Sequence, residues 1–336
     1  MQANLFRRLN LFVAAVLTSS GAPLWASDYS AEHPAVAPFV HEMQVEHGFP
    51  AAYVSGLLAD AERKQAILDA ISRPAERVRP WHEYRAIFIT DKRIADGLEF
   101  MRTHADALAR AEQQYGVEAE VITAIIGVET SYGGNKGSHR VIDALTTLGF
   151  DYPPRADFFR RQLKAFLVLT REQQMDPLTL TGSYAGAMGY PQFIPSSYQA
   201  FAVDFDGDDK VDIWNNPVDA IGSVANYFSE HDWRSGEAVA VPATVTGDDF
   251  ASGVTLDRGL EARSSVGDLM ALGWQPESEL ATNLEVMAYE FDAGDHVQHW
   301  IGLNNLYVIT RYNRSVMYAM VVHQLSQLIK EAGVNE

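Results

Sequence analysis

The sequence predicts a mainly α protein carrying one small β-rich insertion. Apolar residues recur at helical spacing on both sides of residues 236–293. Inside that stretch, short alternating runs punctuated by turn residues replace the helical period. The chain has 336 residues, 47% hydrophobic and 21% charged, so it can bury a sizeable core and hold two or three subdomains.

Residues 1–27 are expected to stay outside the fold. Arg7 and Arg8 precede the apolar run Leu11 to Leu17, and small residues lead to Ala26. That is the layout of a secretory signal peptide, and its apolar run is too short to anchor in a bilayer. With no cysteine there is no lipobox and no disulfide, so stability rests on the core. The expectation is an exported periplasmic protein without a membrane anchor. The formal charge is −18, and losing the two arginines of the leader leaves 24 basic against 44 acidic side chains. Such a balance argues against nucleic acid or an anionic membrane as partner. It suits a neutral or polar substrate, or bound cations.

In chain order, Pro38–His47 and Ala51–Ala70 read as helices, followed by Pro74, Pro80 and a run of mixed charge. Two helices are expected over Leu98–Tyr115 and Glu118–Thr130, and another over Asp157–Gln174. A Gly-rich turn covers Gly182–Gly189, an aspartate-rich loop 204–212, and a helix Pro217–Glu230. Ala238-Val239-Ala240-Val241, Val245 and Leu284–Phe291 carry the strand pattern, with a short helix near Val266–Leu272. Helix resumes at Val316–Ala332, with Tyr318, Val321, Val322, Leu325 and Leu328 on one face. There is no internal repeat.

Glu129 is the most informative residue. It closes the apolar helical run from Val121 to Val128, and Gly133-Gly134 reads as the stop. Apolar surroundings and the negative end of the helix dipole both raise a carboxyl pKa there. A carboxyl protonated near neutrality can donate a proton to a leaving-group oxygen. A glutamate at such a position can also simply face solvent.

Two further segments bear on chemistry. In Gly182 to Tyr198, small residues allow close backbone approach to a ligand, while Ser183, Tyr190 and Gln192 offer polar contacts between apolar ones. Such a mixture suits a saccharide, though small-residue packing would look similar. Asp204, Asp206, Asp208, Lys210 and Asp212 occupy alternate positions of an EF-hand-like loop, Lys210 through its carbonyl, which suits Ca²⁺. The loop departs from the usual pattern at Asp209, where Gly is usual, and at Asn215, where Glu is usual. His296 and His299 lack a third metal ligand at fitting spacing. No cysteine nucleophile, G-x-S-x-G or phosphate loop is present.

From Tyr84 to Leu328 the chain resembles the lytic transglycosylase B family of glycoside hydrolases. The resemblance rests on Gly127-Val128-Glu129-Thr130, Ala185-Gly186-Ala187-Met188-Gly189-Tyr190 with Gln192-Phe193, Asp219 to Tyr227, and Thr310-Arg311-Tyr312-Asn313. It implies a lysozyme-like helical core (98–235 and 294–313), with the EF-hand-like loop at 204–219. It also implies an α domain (28–97, joined by the C-terminal helix 314–336) and a small antiparallel β domain (236–293). It places the acid/base on Glu129 and saccharide contacts on Ser183, Gln192, Tyr227, Tyr312 and Asn313, with Tyr84, Arg155 and Tyr318 as further contacts. It carries structural Ca²⁺ onto Asp204, Asp206, Asp208 and Lys210, with Asp219 as the closing acidic ligand. Pro154 and Phe158 stand where the family pattern has Arg and Tyr.

The activity so implied is cleavage of the β-1,4 bond between N-acetylmuramic acid (MurNAc) and N-acetylglucosamine (GlcNAc) in peptidoglycan, without water. Its partners would be glycan strands and proteins of cell-wall synthesis or remodelling. Glycosidases ordinarily need a second carboxylate, and Asp143 and Asp151 read as helix or cap positions. A hydrolytic muramidase is one alternative. A calcium-stabilised peptidoglycan-binding scaffold without activity is another.

Overall fold

The computed structural model describes residues 28–72, 79–255 and 263–334. The expected signal peptide lies outside them. Fourteen helices and seven strands are present among the described residues.

The N-terminal helices are α1 (Val36–His47), α2 (Ala51–Asp60), α3 (Gln65–Ser72) and α4 (Trp81–Phe88). The single helix expected over Ala51–Ala70 is two, because Ala61 turns to an extended backbone. There the N–H groups of Glu62 and Lys64 bond to Asp143 and Thr147, and tertiary partners outweigh propensity. Helices α5 (Asp91–Thr103) and α6 (Ala105–Tyr115) likewise replace one expected helix. His104 leaves the helical region at φ −115° and packs against Phe100, ring centroids 4.5 Å apart and planes tilted by 57°. The expected domain boundary at 97 falls inside α5.

Helix α7 (Ala119–Thr130) runs through the middle of the molecule. Strand β1 (His139–Arg140) leads into α8 (Val141–Asp151), and α9 (Ala156–Glu172) packs along α8. Strand β2 (Thr181–Gly182) pairs antiparallel with β1. Helices α10 (Pro195–Phe201) and α11 (Pro217–Ser229) flank the aspartate loop. Asn216 caps α11 by accepting the Val218 N–H.

The β unit holds β3 (Ala240–Val245), β4 (Ser264–Ser265), α12 (Val266–Ala271), β5 (Trp274–Pro276), β6 (Glu285–Asp292) and β7 (Val297–Gly302). The strands form one antiparallel sheet, ordered β4-β6-β7-β3-β5. The sheet therefore passes the expected end at 293. Val297–Gly302 lacks clean alternation, yet it pairs with β6 on one side and β3 on the other. The unit has its own small core, including Val266, Leu269, Trp274, Val286 and Ile301.

Helices α13 (Asn304–Tyr312) and α14 (Val316–Val334) close the chain. Helix α14 touches α4, as the expected α domain requires, but packs most extensively on α7 and α5. Its apolar face from Tyr318 through Ile329 is buried there, so it belongs at least as much to the central bundle.

Candidate active site

From Glu120 to Thr130, α7 is buried at every position except Glu129. The helix therefore delivers one polar group to one opening. The Tyr318 hydroxyl, on α14, donates to Glu129 Oε1 at 2.6 Å. Burial raises the Glu129 carboxyl to about 7, while that hydrogen bond pulls it down. No other described charge contributes to the shift. Burial, then the Glu129 charge, also pushes up the hydroxyls of Tyr84, Tyr312 and Tyr318. Three phenols that remain protonated thus surround a carboxyl that titrates near neutrality.

The end of α7 is held unusually firmly. Ser131, Tyr132 and Gly133 follow at φ 50°, 59° and 88°, a left-handed run that begins before the two glycines read as the stop. Left-handed geometry costs a non-glycine residue about 1–2 kcal/mol. Compensation comes from Tyr132, whose hydroxyl donates to the Arg93 carbonyl at 2.8 Å. Arg93 Nη1 in turn donates to the Gly127 carbonyl at 2.5 Å. A Cβ added at Gly97 or Gly127 would lie 2.5 or 2.6 Å from the Tyr132 side chain, so the ring seats against two bare backbones. Sequence reasoning missed Arg93 and Tyr132. Their signal was glycine inside two helical patterns, a mark of close approach.

Ser183 and Gln192 sit on the turns facing this end of α7. Ser183 Oγ accepts the N–H groups of Ala185 (3.3 Å) and Ala187 (3.0 Å), which leaves its hydroxyl proton for a ligand. Gln192, at φ 50°, donates from Nε2 to the carbonyls of Gly189 (2.8 Å) and Lys136 (3.2 Å), so its Oε1 remains an acceptor. The Thr130 hydroxyl, 3.2 Å from the Tyr190 carbonyl, ties α7 to this segment.

Tyr227 and Tyr312 meet edge to face, centroids 4.8 Å apart. Their hydroxyls donate to the carbonyls of Arg311 (2.7 Å) and Pro191 (2.5 Å). Tyr227 is 7% exposed, so it shapes the wall more than it meets solvent. Asn313 is exposed at the end of α13. The Arg155 guanidinium lies 4.4 Å from the Phe158 ring centroid and 5.2 Å from that of Phe159. Asp143 and Asp151 are engaged elsewhere, Asp143 with Arg140 and Asp151 with Tyr29 and Arg63. His299 pairs across the sheet with Glu290 at 3.1 Å, and His296 with Asp295 at 2.6 Å, so they share no centre.

Carboxylate oxygens of Asp204, Asp206 and Asp219 lie within 4.8 Å of one another. Asp219 is fully buried and accepts the N–H groups of Phe205 and Asp212, both at 2.8 Å. Burial raises its carboxyl, and the Asp206 charge adds to the rise against those hydrogen bonds. Asp209 adopts φ 68°, the left-handed turn that glycine usually supplies. Asp208 stands outside the trio and accepts the Lys210 N–H at 3.0 Å. Three converging carboxylates with no described cation among them form a donor set suited to a hard cation. The loop also braces the groove: the Ile213 carbonyl accepts the Tyr190 N–H at 2.9 Å, and Trp214 Nε1 donates to the Thr181 carbonyl at 3.0 Å.

The model of the transglycosylase SLT domain family matches residues 31–327. Membrane-bound lytic murein transglycosylase B of Escherichia coli K12 is 42% identical over 90% of this chain and 85% of its own. The crystal structure of soluble lytic transglycosylase SltB1 from Pseudomonas aeruginosa superposes with TM-score 0.86 at 57% identity, over 89% of this chain and 99% of that one. E. coli lytic transglycosylase Slt35 in complex with calcium gives 0.85 at 43%, over 92% and 96%. P. aeruginosa SltB3 with NAG-anhNAM-pentapeptide gives 0.79 at 29%, over 88% and 78%. The match spans the helix of Glu129, the turns of Ser183 and Gln192 and the β unit alike, and the chain belongs to the transglycosylase SLT domain family as a peptidoglycan lytic transglycosylase.

Proposed function

We propose that Glu129 is the single acid/base of a non-hydrolytic cleavage between MurNAc and GlcNAc. The observation that carries the reading is one carboxyl raised to about 7 in a pocket where no second acid acts on it. Protonated Glu129 gives its proton to the glycosidic oxygen as the bond to the muramyl C1 breaks. The N-acetyl group of that sugar supports the developing positive charge, positioned by Ser183 and Asn313. The Glu129 carboxylate, steadied by Tyr318, then takes the proton from the muramyl 6-hydroxyl as O6 bonds to C1. The 1,6-anhydro ring closes, Glu129 is again protonated, and no water is consumed. Holding the 6-hydroxyl at C1 gives the advantage of an intramolecular attack. The anhydro sugar bound by SltB3 supports the same reading.

Asp204, Asp206 and Asp219 would hold Ca²⁺, joined by Asp208 and the Lys210 carbonyl. The ion would supply fixed charge that relieves carboxylate repulsion and stiffens the loop behind the groove. The calcium complex of Slt35 supports this assignment. Gln192, Tyr84 and Arg155 complete the reading as saccharide contacts. No helix among the described residues is long and apolar enough to cross a membrane. The signal-like leader supports action in the periplasm on glycan strands, beside proteins of wall synthesis or remodelling.

Mass spectrometry of digested murein tests the chemistry. The expected products end in 1,6-anhydromuramic acid, about 20 mass units lighter than reduced hydrolytic products, because hydrolysis adds water. Reducing-end products alone would identify a hydrolase with an acid or base still unassigned.

A further inference from the structure

A second cleft, of about 1030 Å³, opens between the β sheet and helices α4, α7 and α14. It meets the start of α7 at Glu120 and Val121, and the preceding Glu118, so Glu129 lies nine residues beyond Glu120, about 13 Å along the helix. Clefts between structural units are favoured ligand sites. This one is lined by polar and apolar side chains in similar measure, with partly exposed aromatic rings at Trp233 and Trp300.

Its two ends differ in charge. At one end stands Arg85, whose Nε donates to Gln324 Oε1 at 2.5 Å and which pairs with no carboxylate among the described residues. At the other, Lys330 bonds to Glu120 at 2.5 Å, and Glu118 and Glu112 add to the negative field around it. Gln324 and Lys330 are six residues apart on α14, so the ends are separated by about 9 Å. At the Arg85 end, one residue before Gln324, His323 also lines the cleft, 8% exposed, its ring edge-on to Trp300 at 5.9 Å. Its Nδ1 has no hydrogen-bond partner among the described residues, a cost that buried polar groups rarely carry unless a ligand or water meets them.

We infer that this cleft binds the peptide portion of peptidoglycan, as a short zwitterionic peptide with its carboxylate at Arg85 and a side-chain amine at the glutamate end. The inference rests on the transglycosylase reading for the identity of the polymer, not on Glu129 chemistry. Engaging a stem peptide here would hold a neighbouring strand while the groove cuts its own.

The test is calorimetric titration of the full chain with a synthetic, sugar-free stem pentapeptide, N-acetylated and carrying one free side-chain amine. Saturable binding is expected. Arg85→Ala should weaken it about tenfold, as loss of a charge-assisted contact does. Acetylating the side-chain amine or amidating the C-terminus should weaken it similarly. Gln327→Trp, on the exposed rim of α14, should block binding sterically even if Arg85→Ala fails to fold. Both variants should cleave short soluble glycan strands at the wild-type rate. No saturable binding, affinity indifferent to Arg85 and to both caps, or displacement of the peptide by chitotetraose would each overturn the inference. Failure to form anhydro products would instead strike the Glu129 reading and leave the titration unaffected.

Discussion

Replacing Glu129 with Gln should abolish turnover and, above neutral pH, make the protein more stable. The carboxyl sits at about 7 instead of the ordinary 4.5 because burial disfavours its charge. A carboxyl raised on folding binds more protons in the native state than in the unfolded state between those two values. Stability therefore falls as pH rises from 4.5 to 7, and the full penalty persists above 7. At about 1.36 kcal/mol per pH unit, the penalty is about 3 kcal/mol, an upper bound because Glu129 keeps a solvent-facing side. Gln carries no such charge and still accepts the Tyr318 hydroxyl. Urea unfolding at pH 5 and pH 8 should show the variant's advantage growing with pH by up to that amount. Murein digestion should fall at least 10²–10⁴-fold, roughly the share of general acid catalysis alone. A stability difference independent of pH would refute the raised pKa, and digestion near the wild-type rate would refute the catalytic assignment.

Tyr318→Phe removes the donor that favours the Glu129 anion, so the alkaline limb of kcat/KM should move up by about one pH unit, the worth of a hydrogen bond to a charged group; a downward move would show that Tyr318 does not stabilise the carboxylate. Chelation at low ionic strength should lower the melting temperature, and Asp206→Asn with Asp208→Asn should erase that response without changing product chemistry; an unchanged wild-type melting curve would remove the calcium assignment. Ser183→Ala and Asn313→Ala should each lower kcat more than they raise KM, as read with soluble glycan strands, because positioning the N-acetyl group matters most in the transition state.

The pattern of elements was legible where a period could be counted. Val121 to Val128 and Tyr318 to Leu328 gave their helices within a residue or two. The breaks were not legible. Ala61 and His104 end helices through partners about eighty residues away or through a ring packed one turn back, and neither leaves a local sign. Strand β7 escaped because two neighbouring strands, not its own alternation, define it. At the site, Glu129 could be argued from its helix alone, whereas Tyr318 lies 189 residues away and only the family resemblance brought it in. The converging carboxylates showed the opposite balance: spacing suggested Asp204 and Asp206, but the buried Asp219 came from the resemblance, and Asp208 lies outside the trio.

The seat of Tyr132 between Gly97 and Gly127 limits how this family member can drift. A methyl group at Gly127 would collide with the Tyr132 ring, and one at Gly97 with the Tyr132 hydroxyl and with Ile329, while that hydroxyl anchors the chain just past Glu129. Single changes at 97, 127 or 132 should each misaim the carboxyl, while changing 127 and 132 together should cost less than the sum of their parts because both act on one shared contact. Three positions spread over 36 residues thus meet at one side chain, and a replacement at any of them is felt at the others.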